Sequence, residues 1–395
     1  MAEPFRILTL NAISSVGLKR LPADRYTTGS KIENPDAILV RSQDMHSMDI
    51  GPSVKTIGRA GAGVNNIPVD KMSKRGVPVF NAPGANANAV KELVIAGMLI
   101  AARNLTPALK FVEGLKGDDK TVDKTVEDGK KAFAGLELPQ QTLGIVGLGK
   151  VGSLVADTAI KLGMNVLGYD PEITVDAAWS LPSQVRKANS IEEVLRNADF
   201  VTLHVPLLPI TRKMINAERI KLMKKGAILL NFSRDGIVDN GAVLEALATR
   251  HLHSYVCDFP AEKLIGHPQV VALPHLGAST REAEDNCAVM VADQVRDFLE
   301  NGNILNSVNF PNVLLERESP YRIGIANANV PNMLGQISTT MAKAGLNIHN
   351  MLNKSKGEMA YTLVDVDSTV PAEVCQQMRG IEGVLSLRYM PLESR

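Results

Sequence analysis

The reading of this chain is decided at Leu143–Asp170, LGIVGLGKVGSLVADTAIKLGMNVLGYD. Leu143, Ile145 and Val146 form a short apolar run with β-branched residues, the pattern of a buried strand. Gly147, Gly149 and Gly152 follow in G-x-G-x-x-G spacing and lead into SLVADTAIKLG, a helical pattern closed by Gly163. A second apolar run, Met164 to Tyr169, ends in Asp170. Each glycine has its own task in such a βαβ unit. Gly147 permits the tight turn out of the strand. Gly149, ahead of Lys150 and Val151, lets backbone N–H groups approach a pyrophosphate, and Gly152 lets helix and strand pack closely. Asp170, 18 residues beyond Gly152, is placed to accept hydrogen bonds from both hydroxyls of an adenosine ribose. Its carboxylate repels a 2′-phosphate, so the pattern favours NAD over NADP.

At 395 residues the chain suits two or three domains rather than one core. Apolar content of 45% and a formal charge of +1 describe a globular protein with no basic excess for nucleic acid or a membrane surface. No apolar run is long enough for a transmembrane helix, and MAEPFRILTLNAI has no signal-peptide pattern, so a cytoplasmic address is expected. Cys257, Cys287 and Cys375 are widely spaced without a C-x-x-C, which suits free thiols and no metal site.

Outward from the dinucleotide motif, residues 1–90 carry strand candidates at 6–10, 37–40, 54–58 and 77–80, an α/β pattern of their own. A dense apolar helix is expected at 88–104, then a charged, exposed helix and loop at 113–139. Strands at 143–146, 164–169, 199–204, 227–232, 254–257 and 270–273 predict a six-strand doubly wound sheet. A helix at 280–301 returns the chain to the first domain. From Tyr321 a βαββαβ order over about 75 residues predicts a ferredoxin-like module. The expected fold class is therefore α/β: a Rossmann-type parallel sheet (91–283) inserted in a flavodoxin-like substrate domain (1–90 and 284–310), followed by the ferredoxin-like module (318–395).

The chemistry-bearing residues sit at C-terminal strand ends, where open α/β sheets place ligands. Arg234 follows GAILLNF, and a surface turn arginine is its plain alternative. His275 follows VVAL in PHLGAST, where a core histidine bonded to backbone is the alternative. Glu262, in DFPAE, alone reads as a solvated loop carboxylate, but beside His275 it would orient the imidazole and raise its basicity. Asp258, ending SYVCD, suits a nicotinamide carboxamide.

GLGKVG, LHVPLLPITRKMI, GAILLNFSRDGIVD, CDFP…E and HPQVVALPHLGAST follow in order the signatures of the D-isomer-specific 2-hydroxyacid dehydrogenases, which residues 37–300 resemble. The resemblance implies that Arg234 binds the substrate carboxylate, that His275 is the acid/base, and that Glu262 hydrogen-bonds to it. It also implies nicotinamide-side contacts from Phe232, Ser233, Asp258, Gly277 and Ala278, and an adenine pocket lined by Val205 and Pro206. The family usually reads D-V-F-x-x-E, and DFPAE is one residue shorter.

RSQD (Arg41, Ser42), RAGAGVNN (Arg59, Ala60, Gly61) and GVPVFNAPGANANAVKELV resemble the members that oxidise 3-phospho-D-glycerate to 3-phosphohydroxypyruvate in serine biosynthesis. A dianionic substrate needs more cations than Arg234, and Arg41 and Arg59 could supply them or be plain surface arginines. Lys130 and Lys131 lie where the family brings basic residues from a partner subunit, which implies a homodimer or homotetramer. Residues 321–395 resemble an ACT amino-acid-binding module, with Asn327, Asn329 and Asn347 at positions that would hold an effector such as L-serine. Reduction of hydroxypyruvate, glyoxylate or another 2-oxo acid, and an NAD-sensing scaffold without activity, are the competing expectations.

Overall fold

The computed structural model describes residues 3–392, and the chain divides into two compact units, Met1–Asn86 with Arg281–Arg395, and Ala87–Thr280. In the first unit, β1 (Phe5–Leu10), β2 (Tyr26–Gly29), β3 (Ala37–Val40), β4 (Thr56–Arg59) and β5 (Val79–Phe80) form a parallel sheet in the order β2-β1-β3-β4-β5. That is the flavodoxin-like order. AILV of β3 is buried at every position, as expected when layers cover both faces of a parallel sheet. The Arg281–Asn301 helix packs on this sheet through Cys287, Val291, Val295 and Phe298.

The second unit opens with the Ala87–Ala102 helix and carries β6 (Thr142–Val146), β7 (Asn165–Tyr169), β8 (Arg186–Lys187), β9 (Phe200–Leu203), β10 (Ala227–Asn231), β11 (Leu252–Cys257) and β12 (Val270–Ala272). All pairings are parallel, in the order β12-β11-β10-β9-β6-β7-β8. The sheet thus has seven strands, not the six expected. β8 is two exposed basic residues paired to Leu167 and Gly168, with no apolar pattern to betray it. The charged stretch after the first helix is the Leu105–Glu113 and Asp119–Gly129 helices and a 3₁₀ turn, Lys130–Phe133, none with a buried residue.

The C-terminal module belongs to the first unit. β13 (Tyr321–Ala328), β14 (Ile348–Lys356), β15 (Met359–Val366) and β16 (Val384–Pro391) make an antiparallel sheet in the order β14-β15-β13-β16. One face packs Ile323, Ile325, Val364 and Val366 against Met333, Ile337, Met341 and Met378 of its two helices. The other face, with Ala326, Tyr361, Leu363 and Met390, shares a core with Phe298 and Phe310. Arg322 on this face is fully buried, and its Nε and Nη2 donate to the two Asp365 carboxylate oxygens at 2.6 and 2.7 Å. Its other donors reach the carbonyls of Asn301, Leu315 and Glu316. Arg388 donates to the carbonyls of Phe298 and Leu299 with its head 4.6 Å from the Phe298 ring centre. Cations thus meet the exposed carbonyls at the end of the Arg281–Asn301 helix, where its dipole is negative. The expected third domain is in this way fused to the first.

Candidate active site

In the second unit the strand order reverses between β6 and β9, and such a switch point leaves a crevice beyond the strand ends. The three motif glycines lie there, for three different reasons. Gly147 has φ +94°, and a Cβ on it would lie 2.4 Å from the His204 carbonyl oxygen. A Cβ on Gly152 would lie 2.0 Å from the Gly147 carbonyl oxygen. A Cβ on Gly149 would meet nothing within 4 Å. Protein packing therefore requires the first and last glycines, while the open space at Gly149 leaves room for a ligand. That space adjoins the first turn of the Lys150–Lys161 helix, which includes Val151 and has no side-chain cap. Uncapped N–H groups and a positive helix end fit a phosphate.

Asp170 is held at the end of β7, Oδ2 accepting from Leu148 N–H at 2.8 Å and Oδ1 from Glu172 N–H at 3.0 Å. Val205 reaches the Gly147 turn, and the Pro206 carbonyl accepts from the Thr211 hydroxyl. His204, between β9 and these residues, has Nε2 3.0 Å from Thr202 Oγ1, and burial pushes its pKa down to about 4, so its imidazole is neutral. The spacing of the motif offered no reason to single it out.

At the reactive end, Phe232 is buried under the Ala87–Ala102 helix, where a Cβ on Gly97 would come within 2.9 Å of its ring. Ser233 is fixed by its hydroxyl on the Leu203 carbonyl and its N–H on Asn231. Arg234 follows, exposed, its Nη1 donating to the Ser233 carbonyl at 2.6 Å. Asp258 is only 1% exposed, and neither carboxylate oxygen has a hydrogen-bond partner among the described residues. Burial raises its pKa against the pull of His275, the Gly277 N–H and Arg234, which places these groups around one carboxylate. Gly277 also lies near Val90, and Ala278 follows it, partly exposed. The Gly277 N–H lies close to this carboxylate without completing a well-formed hydrogen bond, so the buried acceptor can still take an N–H from a ligand, and a carboxamide supplies one. The crevice thus fits both ends of a dinucleotide.

One expected contact is absent. His275 and Glu262 form no ion pair or hydrogen bond. Glu262 is exposed at the start of the Glu262–Leu264 turn, and the His275 ring packs on Phe259 instead, centroids 4.9 Å apart and planes at 51°. The F-x-x-E spacing from Phe259 to Glu262 is intact, yet it is the Phe259 ring and not the carboxylate that meets the imidazole. Lys130 and Lys131 are exposed, and Lys130 is paired with Glu127.

The first unit carries the other predicted cations. Arg41 ends the β3 side of the sheet and its Nη2 meets Glu284 Oε1 at 2.5 Å. Arg59 donates from Nε to the Arg41 carbonyl at 3.0 Å, with its guanidinium packed over Gly61, where a Cβ would be 1.7 Å from Nη1. Ser42 N–H is held by Asn11 Oδ1, and Ala60 N–H by the Val40 carbonyl. Arg41, Ser42, Arg59, Ala60 and Gly61 thus form one cluster. The part played by Glu284 has no signal in sequence spacing.

In the C-terminal sheet, Asn327 is buried, Nδ2 donating to the Ala328 carbonyl and Oδ1 without a partner among the described residues. Asn329 donates to the Gly357 carbonyl at 3.0 Å and Asn347 to Asp367 at 2.6 Å. The three carboxamides do not form one cluster bonded to each other.

These features define a dinucleotide-binding α/β protein with an Arg/His pair at the strand ends. Residues 95–277 match the family described as D-isomer specific 2-hydroxyacid dehydrogenase, NAD binding domain. The chain is 36% identical to the D-3-phosphoglycerate dehydrogenase of Methanocaldococcus jannaschii, over 85% of this chain and 62% of that protein. It is 32% identical to the D-3-phosphoglycerate dehydrogenase of Escherichia coli strain K12, over 85% of this chain and 81% of that protein. The NAD+-bound 3-phosphoglycerate dehydrogenase of Entamoeba histolytica superposes with a TM-score of 0.60 at 26% identity, covering 79% of this chain and all of that one. The chain belongs to the D-isomer-specific 2-hydroxyacid dehydrogenase family. It spans about three fifths of the length of the M. jannaschii and Bacillus subtilis relatives.

Proposed function

We propose that this protein catalyses the NAD-dependent oxidation of 3-phospho-D-glycerate to 3-phosphohydroxypyruvate, the entry reaction of serine synthesis. The observation that carries the reading is the dinucleotide crevice: open space at Gly149, Asp170 at the ribose position, and the orphaned Asp258 carboxylate beside His275 and Arg234. The relatives of the same name over most of the chain support it.

Bound NAD+ would supply the two-electron acceptor; the rest is done by the chain's own backbone and side-chain groups. Gly149, Lys150 and Val151 present backbone N–H groups, and Asp170 selects an unphosphorylated ribose. Arg234 holds the substrate carboxylate in a two-pronged grip and polarises the adjacent carbon–oxygen bond. His275 takes the hydroxyl proton in oxidation and returns it in reduction. Arg41 and Arg59 are the proposed phosphate ligands, with Lys130 and Lys131 supplied across a homodimer or homotetramer. The C-terminal module is proposed as an ACT-type regulatory module, with L-serine as its effector at Asn327, Asn329 and Asn347. Among the described residues no single helix is long and apolar enough to cross a membrane, and a cytoplasmic location suits the proposed reaction.

NADH formation is followed with 3-phospho-D-glycerate and with its L-isomer. Turnover with the D-isomer alone is expected, and no turnover with either refutes the proposal. Saturating L-serine should lower the rate or raise the melting temperature; if it does neither, serine is not the effector.

A further inference from the structure

We infer that Glu284 is a built-in counter-ion of the phosphate site, which the substrate phosphate has to displace from Arg41 and which thereby limits substrate affinity. The inference rests on the reading of Arg41 as a phosphate ligand. Arg41 is anchored at its backbone, not at its head: its carbonyl accepts from Arg59 Nε at 3.0 Å and from Asn66 Nδ2 at 3.4 Å. Among the described residues its guanidinium pairs with Glu284, 243 positions away in the chain, at 2.5 Å. Both side chains remain partly open to solvent, at 35% and 40% exposure.

The same three charges meet from another direction. Cys287, one helical turn beyond Glu284, is buried, and burial raises its thiol pKa against the opposing charges of Arg59 and Arg41, with Glu284 adding to the rise. Two cations and one anion thus surround a single point on the Arg281–Asn301 helix. A carboxylate on the face of an arginine cluster occupies donors that a phosphate would use and cancels part of the attracting charge. An arginine head has five N–H donors, so the pair need not close the site to a dianion. It does oppose ground-state binding, and weaker binding of substrate and product alike raises KM without lowering kcat.

Glu284→Gln isolates the charge, since the amide oxygen can still accept from Arg41. Partly exposed pairs of this kind are weak, so removing the charge should lower KM for 3-phosphohydroxypyruvate by about 1.4- to 5-fold, the effect falling on KM rather than kcat. The inhibition constant of inorganic phosphate, used as a competitor, should fall in proportion. KM for hydroxypyruvate, which has no phosphate, should not move. In an Arg41→Ala background the effect of the same substitution should shrink, since the direct pair is gone and only the longer-range charge remains. If Arg41→Ala raises KM but Glu284→Gln leaves it unchanged or raises it, Glu284 positions Arg41 and the counter-ion inference is wrong. If Arg41→Ala itself leaves KM unchanged, the reading of Arg41 as a phosphate ligand fails, and the inference falls with it.

Discussion

Gly149 and Gly152 stand three residues apart in one motif, yet their substitution by alanine should have opposite signatures. A Cβ on Gly152 would sit 2.0 Å from the Gly147 carbonyl oxygen and 3.1 Å from its carbon. Ordinary contact begins at 3.4 Å, so the turn would have to retreat by roughly 1.4 Å, at the 1–3 kcal/mol typical of overpacking. Gly152→Ala should therefore lower the melting temperature and weaken cofactor binding together. A Cβ on Gly149 would meet no atom within 4 Å, and its φ of −70° is open to alanine. Gly149→Ala should cost less than about 0.5 kcal/mol of stability. It should nevertheless weaken NADH by at least about tenfold, or 1.4 kcal/mol, because the methyl fills the space kept for a phosphate. The assay is NADH titration by fluorescence alongside thermal unfolding of both variants. Wild-type NADH affinity in a stable Gly149→Ala protein would refute the claim that the pyrophosphate lies at this turn.

Three further outcomes follow from the described contacts. Asp365→Asn leaves the fully buried Arg322 without its counter-charge; at about 3–5 kcal/mol this should lower the melting temperature on the order of 10 °C, and an unchanged midpoint contradicts it. His204 titrates near 4 when folded, against about 6.5 in an unfolded chain, so between those values the unfolded state binds the extra proton. Its contribution to stability is present above about pH 6.5 and is lost as pH falls towards 4; a His204→Asn variant should show a shallower loss of melting temperature across that window. Finally, Glu262→Gln should change kcat by less than about threefold while His275→Asn removes at least about a hundredfold with NADH still bound, because the imidazole has no carboxylate partner at Glu262. Equal losses in kcat would restore a Glu262–His275 pair during turnover.

Much of this was legible in the sequence because parallel strands buried on both faces are written as unbroken apolar runs, as in AILV and AILLN. The glycine spacing and Asp170 located the cofactor end for the same reason: the chemistry tolerates few substitutes there. What escaped has no such pattern. β8 is Arg186–Lys187, and β2 is YTTG with two exposed threonines, so neither carries a hydrophobic signal. The contact of the C-terminal module with the rest of the first unit uses Arg322 and Arg388, residues whose type reads as surface but whose guanidinium groups donate to carboxylate and carbonyl oxygens. Motif resemblance puts Glu262 beside His275, but a motif does not encode which neighbour the ring packs on, and here it is Phe259. Glu284 meets Arg41 from the far end of the first unit's sequence, a pairing that local spacing does not encode.

The central claim is that a phosphorylated 2-hydroxy acid is the substrate. It is tested most directly by kcat/KM for NADH oxidation with 3-phosphohydroxypyruvate beside hydroxypyruvate, in the wild type and in Arg41→Ala. The account predicts a strong preference for the phosphorylated acid that falls by about one to two orders of magnitude when Arg41 is removed, the size of a lost charge-assisted contact. Equal efficiencies in the wild type, or a preference that Arg41→Ala leaves untouched, would contradict it.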